Sequence, residues 1–151
     1  MRALVQRVKQ ASVSIGGSVY SEIRNGMLVL LGIAHSDTAA DAQYLAQRCG
    51  NLRIFEDNEA KMNLSLKESD GSVLVVSQFT LYADTRKGHR PSFVDAARPE
   101  IAEPLYNNFV DALRAELGES KVRTGVFREM MDINLINAGP VTIMLESKNH
   151  S

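Results

Sequence analysis

Four consecutive residues near the middle of the chain carry side chains suited to meeting a ligand: Ser77, Gln78, Phe79 and Thr80, within the stretch SVLVVSQFTLYAD at 72–84. The apolar run at 73–76 is opened by the turn signal Asp70-Gly71 and reads as a strand buried on both faces. Hydroxyl and amide groups at the end of such a strand need partners, which either neighbouring backbone or a ligand can supply. Nucleophilic attack by Ser77 or Thr80 would require a nearby base, because a hydroxyl at its free pKa is a poor nucleophile. No His, Lys, Asp or Glu lies within SVLVVSQFTLY. The same groups suit a different task, donating hydrogen bonds to an oxyanion that develops at a carbonyl.

Two further stretches bear on this site. NAGPVT at 137–142 places Gly139 before Pro140, and the ordinary reading is a trans turn between strands. The segment 82–98 carries Arg86, Lys87, Arg90 and Arg98 against Asp84 and Asp95, and Gly88 and Pro91 break any regular structure. It reads as an exposed loop directly after the polar strand end. Its cations and His89 suit phosphate groups, and composition alone equally allows a solvated loop; the position beside the motif favours phosphates.

The bulk of the sequence narrows the choices. A chain of 151 residues makes one domain, 1–151, with a polar tail at 147–151, and 44% hydrophobic with 23% charged residues is ordinary globular composition. No apolar run approaches a membrane span and residues 1–10 lack the core of a signal peptide, so the expectation is a cytoplasmic protein with no membrane partner. With a net charge of −1, attraction to nucleic acid must come from a local patch. His35, His89 and His150 are scattered without metal-ligand spacing, so neither a metal nor another cofactor is expected. The single Cys49 falls on the apolar face of a helix and reads as core.

The elements that must position these residues follow from periodicity. Residues 3–8 form a strand, Val13 and Ile15 alternate with serines, and Gly16-Gly17 makes a hairpin turn to a returning strand at 19–24. Asn25-Gly26 turns into a buried strand at 27–33. Thr38 or Asp37 caps a helix whose apolar face is Ala42, Leu45, Ala46 and Cys49, ending at Gly50. Short strands are expected at 52–55 and across Met62, Leu64 and Leu66. Ile101, Leu105, Phe109, Leu113 and Leu117 mark a second helix closed by Gly118, starting at Pro99 or at Glu103 because Pro104 suits no helix interior. Strands at 121–127, 131–137 and 141–146 complete the chain. The predicted architecture is α/β (α+β): two helices against a predominantly antiparallel, barrel-like sheet.

SQFTL followed by YAD, NAGPVT about sixty residues later, QRV at 6–8, KMNLS at 61–65 and RPSF at 90–93 together resemble the D-aminoacyl-tRNA deacylases (D-tyrosyl-tRNA deacylase family) over nearly the whole chain. The resemblance implies a homodimeric esterase that edits D-aminoacyl-tRNA to free tRNA and amino acid. It implies RNA-assisted catalysis, in which the 2′-hydroxyl beside the ester assists and the protein positions and polarises. Ser77, Gln78, Phe79 and Thr80 would then line the pocket. Gly139 and Pro140, joined by a cis peptide and projected from the partner subunit, would reject L-amino acids, with Arg7 holding that turn. Glycine has no β-carbon to reject, so glycyl-tRNA becomes an expected substrate. Arg86, Lys87 and Arg90 would contact tRNA phosphates. Two alternatives stand beside this reading: a non-catalytic RNA-binding dimer, and the related deacylase subtype acting on some L-aminoacyl-tRNAs, against which Gly139 argues.

Overall fold

In the computed structural model, which describes residues 1–148, the organising element is a single strand, β1, over Arg2–Ile15. One of its edges pairs with two strands in turn: Ala11–Ile15 with β2 (Ser18–Ile23), Arg2–Val8 with β3 (Gly26–Gly32). The other edge pairs along most of its length with β8 (Asp132–Glu146). All three pairings are antiparallel. Gly16-Gly17 makes the expected hairpin between β1 and β2, but Asn25-Gly26, read as a second turn, does not reverse the chain: β2 and β3 follow one another in the same direction along one edge of β1.

Beyond β3 the sheet changes character. β6 (Ser72–Ser77) lies parallel to β3, and β7 (Val122–Thr124) parallel to β6. Each parallel step needs a crossover. The first contains α1 (Ala39–Gly50), the small β4–β5 hairpin (Phe55–Glu56 and Met62–Leu64) and α2 (Leu66–Ser69); the second contains α3 (Pro99–Leu117). The Ser21 hydroxyl of β2 donates to the Thr124 carbonyl of β7 at 2.7 Å, so the sheet comes close to closing as a barrel.

Two apolar clusters fill the two faces. Ala3, Val5, Val29, Leu31, Val73 and Val75 pack under α1 and α3, whereas Val8, Ala11, Val13, Leu28, Leu74 and Val76 fill the barrel interior. Strands β3 and β6 contribute to both, which is why they read as unbroken apolar runs. Val8 faces opposite to Ala3 and Val5, as alternation requires. Ala11 and Val13 stay on Val8's side because the β1–β8 ladder slips between Val8 and Gln10. Fully buried Phe109 anchors α3, and truncating such a side chain to Ala costs about 3–5 kcal/mol.

Other expectations need correction or are decided by the fold. The described residues form three α-helices, not two: Ser65 and Glu68 cap each other, with the Ser65 N–H donating to the Glu68 carboxylate at 3.1 Å, and this turns Leu66 into a helix in place of a strand. The strand expected at 52–55 reduces to Phe55–Glu56. α3 begins at Pro99; Pro104 is tolerated near its exposed start. The expected strands 131–137 and 141–146 are one strand that runs through Gly139 and Pro140, while 121–127 shrinks to Val122–Thr124. Of the tail, Ser147 donates its N–H to the Met1 carbonyl at 3.0 Å; His150 lies outside the described residues. No helix of the described residues is long and apolar enough to cross a membrane.

Candidate active site

Strand β6 stays buried through Val76 and ends at half-buried Ser77, where the backbone leaves the sheet. The Gln78 N–H makes the last ladder-like bond, to the Leu31 carbonyl at 2.8 Å, and Phe79–Tyr82 then coils into a 3₁₀ turn. Gly32 lies directly beneath. A Cβ there would stand 2.9 Å from Leu81 Cβ and 3.2 Å from the Gln78 carbonyl oxygen, so the motif rests on bare backbone. The carboxyl ends of parallel strands are where sheets of this kind leave room for ligands, and a cavity of about 670 Å³ opens there.

Ser77, Gln78 and Phe79 line this cavity, whereas Thr80 does not. Thr80 is exposed beside it and accepts a hydrogen bond from the Gln78 side-chain amide. The Phe79 ring meets Phe93 edge-on, with centroids 5.1 Å apart, which fixes the exposed aromatic at the rim. The start of α3 and the segment 127–131 form the remaining walls. That last segment was not among the residues expected at the site. It brings Arg128 and Glu129, and Glu129 is the one carboxylate in the lining among the described residues. No sequence motif marks it, because Arg128-Glu129 reads as an ordinary polar turn.

The loop 82–98 is irregular as expected, crossed only by isolated bridges at Asp84–Ser92 and Ala34–Ala96. Arg86, Lys87 and Arg90 are exposed on it and lie outside the cavity lining. Arg86 is already engaged. Its Nε and Nη2 donate to the two Asp84 carboxylate oxygens at 2.9 and 2.8 Å, and this fork holds the Asp84 pKa down at about 2. The loop's inner end supplies Phe93 and Arg98 to the cavity.

Gly139 and Pro140 are exposed and form no part of the cavity in their own chain. The peptide between them is cis, as the resemblance implied. The turn is held from both sides. Asn137 accepts the Val141 N–H on its side-chain oxygen at 2.8 Å and donates to the Thr142 hydroxyl at 3.0 Å. Arg7 reaches across from β1, donating from Nε to the Ala138 carbonyl at 2.9 Å and from Nη1 to the Ile54 carbonyl at 2.8 Å. Gly139 has φ of +137°, and a Cβ on it would come within 2.8 Å of Val141 Cγ2 and 3.1 Å of Arg7 Nη2. Only glycine fits.

Cys49 is fully buried under α3, and desolvation pushes its thiol up to about 12, as expected for core and not for a nucleophile.

Comparison with known proteins shows the family and the fold. The family model described as D-Tyr-tRNA(Tyr) deacylase matches residues 4–146. The chain is 58% identical over 147 residues to the D-aminoacyl-tRNA deacylase of Chloroflexus aurantiacus, covering 97% of this chain and 91% of that one. Among solved structures it resembles a c-Myc DNA unwinding element binding protein, with a TM-score of 0.95, 41% identity, and coverage of 99% and 100% of the two chains. A probable eukaryotic D-amino acid tRNA deacylase shares the fold, with a TM-score of 0.84 at 18% identity over 96% and 98% of the two chains.

Proposed function

The chain belongs to the D-Tyr-tRNA(Tyr) deacylase family and is a hydrolase of D-aminoacyl-tRNA, and from that premise we infer how its own residues do this work. The ester carbonyl sits at Ser77 and Gln78, whose hydroxyl, amide and adjacent backbone N–H groups donate to the oxyanion as it develops. The chemistry is RNA-assisted: the 2′-hydroxyl beside the ester, directly or through water, assists its cleavage, and the protein contributes placement. What carries this reading is the composition of the cavity. Among the described residues no His, Lys or Asp lines it, and Glu129 is its single carboxylate.

Chirality is set by Gly139 and Pro140 of a second copy of the chain. On its own protomer the turn forms no part of the cavity lining and is held by Arg7 and Asn137. Strand β8 pairs only with β1, leaving its far edge unpaired among the described residues, and it exposes Ile136 and Met144. A long open edge with apolar side chains is a surface that a second copy covers. The turn then fills the space an L side chain needs, and any amino acid without a β-carbon on that side is admitted, glycine included.

The experiment compares decay of D-alanyl-, glycyl- and L-alanyl-tRNA at low enzyme concentration, together with a D-alanyl ester on tRNA ending in 2′-deoxyadenosine. D-alanyl and glycyl esters are cleaved, the L-alanyl ester lags glycyl by about a hundredfold, the ratio given by a clash of about 3 kcal/mol, and the deoxy substrate loses most of its rate. Survival of glycyl-tRNA at the L-alanyl level would mean that the cavity recognises a D side chain positively. Full-rate cleavage of the deoxy ester would return the chemistry to the protein.

A further inference from the structure

Two arginines line the cavity without a part in the chemistry above. Arg98 stands where the loop enters α3, and Arg128 stands on the segment 127–131. Both are exposed, and neither joins an ion pair among the described residues, in contrast to Arg86, which Asp84 neutralises.

The backbone under Arg128 adds a second observation. It is the third residue of a turn closed by the Glu129 N–H on the Val126 carbonyl at 3.3 Å, and its φ is +71°. Turns with that sign at the third position take glycine, and a long side chain there is held in a disfavoured conformation. Asp70 also has positive φ, at 58°, but it ends α2 and pairs with Lys121 at 2.8 Å. Arg128 has no comparable local partner among the described residues. A side chain kept where glycine would be relaxed, and directed to a cavity wall, serves something outside the chain.

The chemistry of the guanidinium names the class of group. Its planar fork fits carboxylate or phosphate oxygens. In an aminoacyl ester the carboxylate is consumed by the ester bond, and the α-amino group is cationic. The anion nearest the acylated ribose is therefore the phosphate on that nucleoside's own 5′ oxygen. We propose that Arg98 and Arg128 together clamp the 5′-phosphate of the terminal nucleotide of the acylated RNA, seating its ester against Ser77 and Gln78. The proposal rests on this cavity being the deacylase site. It makes the two arginines positioning residues and separates them from Arg86, Lys87 and Arg90, which meet the RNA further along.

The test is inhibition of D-alanyl-tRNA deacylation by adenosine and by adenosine 5′-monophosphate, in the wild type, Arg98→Gln, Arg128→Gly, Arg128→Lys and the Arg98→Gln/Arg128→Gly double variant. Arg128→Gly is chosen because glycine suits the φ at that position, so its melting temperature should hold or rise. The wild type should bind the monophosphate about tenfold or more tightly than adenosine, the range of a charge-assisted contact. The double variant should lose that preference, KM for D-alanyl-tRNA should rise by a similar factor, and Arg128→Lys should restore part of both. Equal inhibition by adenosine and its 5′-monophosphate in the wild type, or a preference that survives in the double variant, overturns the clamp. A wild type that leaves D-alanyl-tRNA intact would instead overturn the deacylase reading beneath it.

Discussion

Arg7 offers the most direct test of whether the Gly139–Pro140 turn must be held rigidly. Its half-buried guanidinium makes two hydrogen bonds to carbonyls, at 2.9 Å to Ala138 and 2.8 Å to Ile54, tying the turn to the segment before β4. Hydrogen bonds from a charged donor contribute about 1.5–3 kcal/mol each. Water reaches a half-buried arginine and replaces part of that, so Arg7→Ala should lose roughly 2–3 kcal/mol in all, near the lower bound of the pair. For a chain of this size each kcal/mol moves the melting temperature by about 2–4 °C, giving a fall of about 5–10 °C. The functional effect should be more selective than the thermal one. If exclusion of an L side chain rests on a clash of about 3 kcal/mol, relief of half of it costs roughly tenfold in discrimination. L-alanyl-tRNA should therefore decay at least tenfold faster relative to D-alanyl-tRNA, while the D rate changes only a few-fold. Arg7→Lys, which keeps the charge but not the fork, should fall between. The measurements are a thermal melt and parallel deacylation of the two esters. A variant that melts early yet spares L-alanyl-tRNA as well as the wild type does would refute the anchoring argument.

Four further outcomes concern the cavity, the loop and the core. Thr80→Val and Glu129→Gln should each keep most of the deacylation rate, because Thr80 only receives a bond from Gln78 and Glu129 is not needed if the RNA hydroxyl does the work; collapse of Glu129→Gln would identify a protein base. Neutralising Lys87 and Arg90 together should flatten the salt dependence of tRNA binding more than neutralising Arg86, whose charge Asp84 already offsets. Because Asp84 titrates at about 2, below the usual carboxylate range, that pairing is complete above about pH 4 and is lost only as pH falls through 2, so titrating tRNA affinity across pH 5–9 should show no step from it. Native protein should resist alkylation by iodoacetamide, since the Cys49 thiol is buried and pushed up to about 12, and rapid labelling without unfolding would contradict that burial.

The sequence made the strand into Ser77 legible because β6 is buried on both faces and shows no alternation to misread. The β1–β2 hairpin was equally plain from Gly16-Gly17, whereas Asn25-Gly26 misled, because the chain there only bends and continues along the same edge of β1. α1 was legible from Thr38 and Asp41, and the structure shows the Thr38 N–H donating to the Asp41 carboxylate at 2.8 Å. Ser65 and Glu68 carry the same signal for α2, but Met62, Leu64 and Leu66 also alternate, and over five residues a period of two cannot outvote a cap. Gly139-Pro140 read as a break between two strands. In the fold the ladder to β1 resumes beyond it, since Asn137 satisfies the Val141 N–H and the register merely slips. The wall at 127–131 was not legible at all. It faces Ser77 only because β7 sits beside β6, and nothing local in Arg128 or Glu129 declares that neighbour.

The arrangement of cavity and turn leads to a last prediction about which chain serves which site. In one protomer Ser77 and Gln78 line the cavity, and Gly139 and Pro140 do not. Suppose the turn completes the cavity of a second copy. A subunit altered at Gln78 then has a damaged cavity and a sound turn, and a subunit altered at Gly139 has the reverse. Random pairing of equal amounts makes about half of the dimers mixed. In each mixed dimer one site combines both lesions, whereas the other joins an intact cavity to an intact turn. About a quarter of all sites should then recover wild-type behaviour, cleaving D-alanyl-tRNA while sparing L-alanyl-tRNA, although neither parent does both. If instead the turn served its own cavity, every site in every mixed dimer would carry one lesion and mixing would restore nothing. Subunits of Gln78→Ala and Gly139→Ala, exchanged by dilution and reconcentration and assayed on both esters, distinguish the two arrangements, and sedimentation of the mixture reports whether dimers formed. Dimers without recovery would place the chirality filter somewhere other than the partner's turn.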